Sequence, residues 1–181
     1  MELSAFLSLC EGKWFSQRTH YAFGPQQADS HKSELTIELL PTLAEELVPV
    51  WPSWGNTLNS SALIIQTSWD NAVDWGKPKQ CGSVVLAFWP EETDSQRGQM
   101  WRSPWGQQKE GVRGTYQLGE DESLSYTWEQ GEWRGQERFW FASPNLRMRT
   151  CLIQRGANFS HSAFYSEIRK LPPKEATGGP E

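Results

Sequence analysis

The chain has 181 residues, a net charge of −5 and an isoelectric point near 5.3, which suits one domain with a sizeable core and argues against general nucleic-acid binding. No apolar window of about 18 residues occurs, so no membrane-spanning helix is predicted, and the N-terminus lacks the basic-then-apolar pattern of a secretory signal. Three unclustered cysteines (Cys10, Cys81, Cys151) and three histidines (His20, His31, His161) form no disulfide framework and no metal-ligand spacing.

A reducing cytoplasm is the expected setting. The compositional outlier is eleven tryptophans. Such rings fill wide β structures or grip flat ligands, and plain packing is the simpler of the two readings.

Taken in order, Ser4 to Glu11 has apolar residues at 6, 7, 9 and 10 behind a serine suited to capping, which predicts a short helix closed by Gly12. An extended segment follows from Trp14 to Phe23. A short helix leading into Gly-x-Trp resembles the entry of lipocalin-type barrels, in which the Trp plugs the closed end and an Arg of the last strand stacks on it. Arg169 is the residue placed for that stacking role. Residues 25–32 read as a polar loop. Ser33 to Leu40 alternates Leu35, Ile37 and Leu39 against Glu34, Thr36 and Glu38, the pattern of a half-buried strand. Residues 41–48 read as a helical turn with Pro at its first position, and 49–59 as a loop. Residues 61–69 and 83–89 are two more predicted strands, with a loop over 70–82 between them. Residues 99–103 make a weaker strand.

From Gly111 the punctuation becomes regular. Strands are predicted over 112–118, 123–129, 132–142, 146–154 and 160–170, joined by short turns rich in Gly, Asn and acidic residues. Within them the hairpin from Gly135 to Cys151 carries the chemistry. Glu137, Phe139 and Phe141 share one face of its first arm, and Arg138, Trp140 and Ala142 the other. Ser143-Pro144-Asn145 supplies the turn. On the second arm Arg147, Arg149, Cys151 and Ile153 share one face, and Leu146, Met148, Thr150 and Leu152 the other. Alternating charge usually marks a solvated sheet face. A carboxylate set among phenylalanines, with two guanidiniums nearby, fits a polar anchor in a concave pocket instead. The sequence leaves open which face of one arm joins which face of the other.

Nine or ten strands without long helices favour an all-β, up-and-down antiparallel barrel, whose closure removes exposed edges. A single domain is expected over 1–170, followed by a polar, Pro/Gly-rich tail over 171–181 of the composition that stays disordered.

With the strands in place, the chain resembles the S/U-type phycobiliprotein lyases, which attach linear tetrapyrroles (bilins) to light-harvesting proteins. The resemblance rests on WFSQRTHY at Trp14–Tyr21, ERFWFASPNLRMRT at Glu137–Thr150 and SEIR at Ser166–Arg169. It covers residues 12–40 and 111–170, and the middle of the chain matches only loosely. It implies a ten-stranded barrel like those of lipocalins and fatty-acid-binding proteins, holding a bilin without a covalent bond and passing it to a cysteine of a phycobiliprotein subunit. By position, Arg18 and Trp69 would sit at the bilin, Arg147 and Arg149 near its propionates, Glu137 near its pyrrole nitrogens, and Glu167 beside them. Cys151 stands where the family pattern has Ser, which leaves its contact with the ligand open.

These roles suit the chemistry. The planar fork of Arg bonds both oxygens of a carboxylate, and more strongly away from water. A bilin is a better electrophile at its ring A ethylidene when its nitrogens are protonated, so Glu137 or Glu167 would act as acid or counter-ion. The simpler alternatives are a solvated Arg ladder, surface carboxylates, and a Cys151 that packs as a small hydrophobe rather than adding to the bilin.

The expectation is therefore a bilin lyase with no metal and no resident cofactor, a bilin such as phycocyanobilin or phycoerythrobilin being its substrate. Its partners would be an apo-phycobiliprotein α or β subunit and, in addition, a homologous lyase subunit or a second copy. Neither nucleic acid nor membrane is involved, and a cyanobacterial cytoplasm is expected rather than a plastid stroma. The rival readings are a non-catalytic carrier on the same barrel and a subunit of a heteromeric lyase.

Overall fold

The structure, a computed structural model, describes residues 1–41, 62–104 and 110–171. The predicted helical turn over 41–48 apart from Pro41, the loop over 49–59 and the tail beyond Leu171 lie outside the described residues. One helix, α1 (Leu3–Cys10), precedes β1 (Gly12–Ala22), β2 (Gln27–Leu40), β3 (Leu63–Asp70), β4 (Cys81–Pro90) and β5 (Arg97–Arg102). The regular half follows as β6 (Val112–Leu118), β7 (Leu124–Gln130), β8 (Trp133–Ser143), β9 (Leu146–Arg155) and β10 (Asn158–Arg169). Every strand pairs antiparallel with its sequence neighbours, and β10 returns to pair with β1, closing a ten-stranded barrel. No described helix is long and apolar enough to cross a membrane.

Period-two alternation sets the inner face. Trp14 and Ser16 of β1, Leu35 and Ile37 of β2, and Tyr126 and Trp128 of β7 are all buried. Strands β3 and β4 read as continuous apolar runs because both their faces are covered. Ile65, Leu86 and Phe88 join the main core, while Ile64 and Ala87 pack in a second cluster on the opposite face.

Beyond shifts of one or two residues at several strand ends, the structure departs from the sequence reading at the start of β2 and at both ends of α1. Residues 27–32, read as a loop, belong to β2, because eleven residues of β1 find partners there, from Ala22 with Gln27 to Gly12 with Ile37. Sheet pairing satisfies their backbone groups, and polarity alone does not make a loop. Ser4 does not cap α1: the N-cap is Glu2 and makes no side-chain cap bond, while the Ser4 carbonyl accepts from the Ser8 hydroxyl. The helix ends at Cys10, and Gly12, with φ of +116°, turns the chain into β1.

An eight-residue helix is too short to persist alone. It is held because Leu3, Phe6, Leu7 and Cys10 are buried across one end of the barrel. Burying a phenylalanine side chain is worth about 1.5–3 kcal/mol, and Phe6 is fully buried, edge-on to Phe141 at 5.4 Å. Trp14 donates its indole N–H to the Cys10 carbonyl at 2.8 Å. Arg169 stacks on the Trp14 ring at 4.1 Å, as the resemblance implied, and donates to the Leu9 and Glu11 carbonyls at 2.5 and 2.6 Å. A cation on the last carbonyls of a helix suits its dipole. One end of the barrel is therefore plugged, and the functional face must be sought toward the other.

Candidate functional site

The register of β8, β9, β10 and β1 decides which faces meet. Glu137 lies opposite Cys151, Phe139 opposite Arg149 and Phe141 opposite Arg147. Arg147 in turn faces Glu167, and Arg149 faces Tyr165. Ser16 and Arg18 of β1 complete the row beside Glu167 and Tyr165. The carboxylates and guanidiniums thus share the inner face, and the solvated-ladder alternative fails for them. Glu137, Arg147 and Glu167 are 4%, 4% and 0% exposed.

Two ion pairs result, and they differ in kind. Near the plug, Arg147 donates from Nε to Glu167 Oε2 at 2.6 Å, and its guanidinium lies 5.3 Å from the Trp14 ring and 5.8 Å from Phe139. The Ser16 hydroxyl donates to the other Glu167 oxygen at 3.5 Å. Farther along the barrel, an Arg149 terminal nitrogen lies 2.6 Å from Glu137 Oε2. Glu137 Oε2 is held by that ion pair, while Arg149 Nε has no hydrogen-bond partner among the described residues. The guanidinium of Arg149 is sandwiched by rings instead, 4.3 Å from Tyr165 and 5.2 Å from Phe139. Arg18 Nε likewise has no hydrogen-bond partner among the described residues.

Burial works to strip the proton from Arg147 and Arg149, but Glu167 and Cys10 around the first, and Glu137, Tyr165, Tyr126 and Glu167 around the second, together outweigh it and leave both pKa values raised. Both residues are fixed cations. The Cys151 thiol is pushed up to about 12 by burial and then by Glu137, against a smaller pull from Arg149. It is a neutral thiol at physiological pH, which favours the packing reading over a nucleophilic one.

Exposure along the inner face falls into two zones. At the helix end most inward residues are buried, Phe141 and Leu39 being half-buried. Toward the opposite end Arg18, His20, Trp69, Arg149, Cys151 and Tyr165 face inward yet are only half-buried. These residues of β1, β3, β9 and β10 are therefore less tightly covered than Glu137, Tyr126 and Trp128 on the facing wall. Trp69 forms part of the barrel wall, lying against Gly82 so closely that a Cβ there would meet the indole at 2.7 Å. A separate hollow of about 450 Å³ opens on the outside of β8, β9, β10 and β1, lined by outward residues such as Thr19, Arg138, Thr150 and Phe164. It faces away from the buried charges and is not where the chemistry gathers.

All seven residues proposed from sequence, Arg18, Trp69, Glu137, Arg147, Arg149, Cys151 and Glu167, lie on this inner face. Ser16 and Tyr165 were missed. The alternation that selects Glu167 also selects Tyr165 two residues earlier, and the one that selects Arg18 also selects Ser16, so the signal was present.

A family model described as CpeS-like protein matches residues 2–170. The chain belongs to the CpeS-like family. It is 43% identical to chromophore lyase CpcS/CpeS 1 of Synechocystis sp., over 97% of this chain and 94% of that one. It is 34% identical to chromophore lyase CpcS/CpeS of Thermosynechococcus vestitus, over 93% of each. The phycocyanobilin lyase subunit CpcS of Picosynechococcus sp. is 27% identical over 97% of this chain. The S-type phycobiliprotein lyase CPES from Guillardia theta superposes with a TM-score of 0.78 at 22% identity, covering 95% of this chain and 94% of that one. At that identity the likeness concerns the fold, and the CpeS-like barrel is the one described above.

Proposed function

We propose that this CpeS-like protein is a chromophore lyase that holds a bilin inside the barrel and promotes its thioether attachment to a cysteine of a phycobiliprotein subunit. The observation that carries the reading is the pair of inward guanidinium donors without a hydrogen-bond partner among the described residues, Arg18 Nε and Arg149 Nε, beside the ion-paired Glu137 carboxylate, in the half of the barrel away from the helical plug. Buried polar groups are rarely left unpaired without a functional reason. Two donors and an acceptor on an aromatic-lined wall match a flat pigment with two propionates and pyrrole N–H groups.

The roles then divide. Arg18 and Arg149 take the propionates, and Trp69 packs on the chromophore. Glu137 faces the ring nitrogens and acts as their counter-ion. Glu167 is already engaged by Arg147 and Ser16, so it fixes Arg147 rather than meeting the bilin. Cys151 lines the wall. The acceptor thiol belongs to the partner, and the lyase contributes orientation and exclusion of water. The setting is a cyanobacterial cytoplasm, and an α or β subunit of a phycobiliprotein is the acceptor.

The test mixes the protein, phycocyanobilin and an apo-phycobiliprotein subunit, then denatures the products. Colour remaining on the subunit establishes the lyase. Bilin bound before denaturation but lost afterwards, with a colourless subunit, reveals a carrier and refutes the lyase reading.

A further inference from the structure

All three histidines of the chain lie on the inner face at the end of the barrel opposite the helix. His20 is on β1, His31 on β2 and His161 on β10, each half-buried. Their positions 20, 31 and 161 show no ligand spacing in sequence; the β1–β2 hairpin places His31 near His20, and barrel closure brings His161 beside it. His20 Nε2 and His161 Nδ1 are 3.2 Å apart, with the rings stacked at 5.2 Å between centroids.

In their neutral forms two imidazoles hold two ring protons and two lone pairs between them. Their mutual hydrogen bond uses one of each, so the pair offers one further acceptor and one further donor whichever tautomers are present.

The surroundings of His20 favour its neutral, proton-accepting form. Burial lowers the His20 pKa below its ordinary 6.5, followed by His161, Arg18 and His31, with Asp29 on β2 opposing. His31 is committed elsewhere, to Asp29 at 2.8 Å and to Asp74 of the β3–β4 loop at 3.8 Å, and Lys77 of that loop holds Asp29 at 3.0 Å. From β9 the pair faces only Ile153, opposite His161, with Cys151 and Arg149 deeper in.

We infer that the His20–His161 pair is the base that takes the proton from the incoming acceptor thiol. This inference rests on the lyase reading. Among the described residues α1 plugs one end of the barrel, so a protein thiol entering from the other end passes the pair on its way to the bilin. As the thiol's S–H bond breaks, its proton goes to the imidazole pair. The sulfur electrons form the C–S bond to the exocyclic ethylidene carbon, and the C=C electrons move into the tetrapyrrole. The pair then returns the proton to the adjacent ring carbon. Thiol has added across one double bond, the histidines are restored, and no oxidant or reductant is needed.

The experiment follows attachment of phycocyanobilin to an apo-subunit across the pH range for wild type, His20→Gln and His161→Gln, with bilin absorbance in the complex recorded for each. With the base present, the rate should level off from about pH 7, well below the ordinary thiol pKa of about 8.5. In each variant the rate should fall by about 100-fold at neutral pH and climb tenfold per pH unit toward that thiol value, while the spectrum and stoichiometry of bound bilin stay as in wild type. Wild-type rates and an unchanged pH profile in both variants overturn the inference and leave the lyase reading intact. Failure of the variants to bind bilin overturns it too, since the pair would then be structural. Absence of transfer by wild type refutes the lyase reading itself, and the inference falls with it.

Discussion

Replacing Glu167 with Gln tests whether the row of charges inside the barrel is as dry as its geometry implies. Glu167 is 0% and Arg147 4% exposed, and the two are joined at 2.6 Å. Removing the negative charge leaves a buried guanidinium with rings and a thiol for neighbours, and breaking such a pair costs about 3–5 kcal/mol. The Gln carbonyl still accepts one hydrogen bond, which returns about 1 kcal/mol, so a loss of about 3 kcal/mol is expected. For a chain of this size that lowers the melting temperature by about 6–12 °C. Arg147→Met should destabilise comparably, because it strands a buried carboxylate. The double substitution Arg147→Met with Glu167→Leu removes both charges and refills the space, so it should come out more stable than either single variant. Urea and thermal unfolding followed by circular dichroism complete the double-mutant cycle. Losses below about 0.5 kcal/mol for both single variants, adding in the double, would refute the reasoning, because that is how solvated surface pairs behave.

Other outcomes follow from the same geometry. Arg149→Ala and Arg18→Ala should each weaken phycocyanobilin binding by about 10–100-fold, the worth of one charged hydrogen bond at about 1.5–3 kcal/mol, as read by absorbance titration; unchanged affinity in both removes them from the propionates. Cys151→Ser should leave attachment to the subunit intact, because a thiol with a pKa of about 12 is almost entirely protonated near neutrality; bilin retained on the denatured wild-type lyase but not on the variant would contradict this. Gly135→Ala should destabilise the barrel by about 1–3 kcal/mol or more, since a Cβ there would lie 2.1 Å from the Trp128 ring; a wild-type unfolding midpoint would show that the ring moves freely.

Much of the barrel was legible because strand alternation is a local property. Leu124, Tyr126 and Trp128 announce a buried face without help from any other strand, and the short turns of the second half fix antiparallel neighbours. The polar stretch 27–32 was misread because its strand character comes from pairing with β1, which no local pattern encodes. The Ser4 cap failed for a related reason: a serine before an apolar run suits a cap, but packing of Leu3 onto the barrel end extends the helix past it.

By itself the sequence determined that the chain is an all-β meander behind a short N-terminal helix, and that Glu137, Arg147, Arg149 and Glu167 stand on alternating strands where charge is unusual. It could not say which face was inside. A period of two defines two faces but does not label them, and the label comes only when the strands curl together. Tertiary structure alone decided that Arg147 belongs to Glu167 and Arg149 to Glu137, and that Ser16 meets a residue 151 positions away. Closure between the first and last strands is a long-range contact, and it is the same contact that brings His20 beside His161.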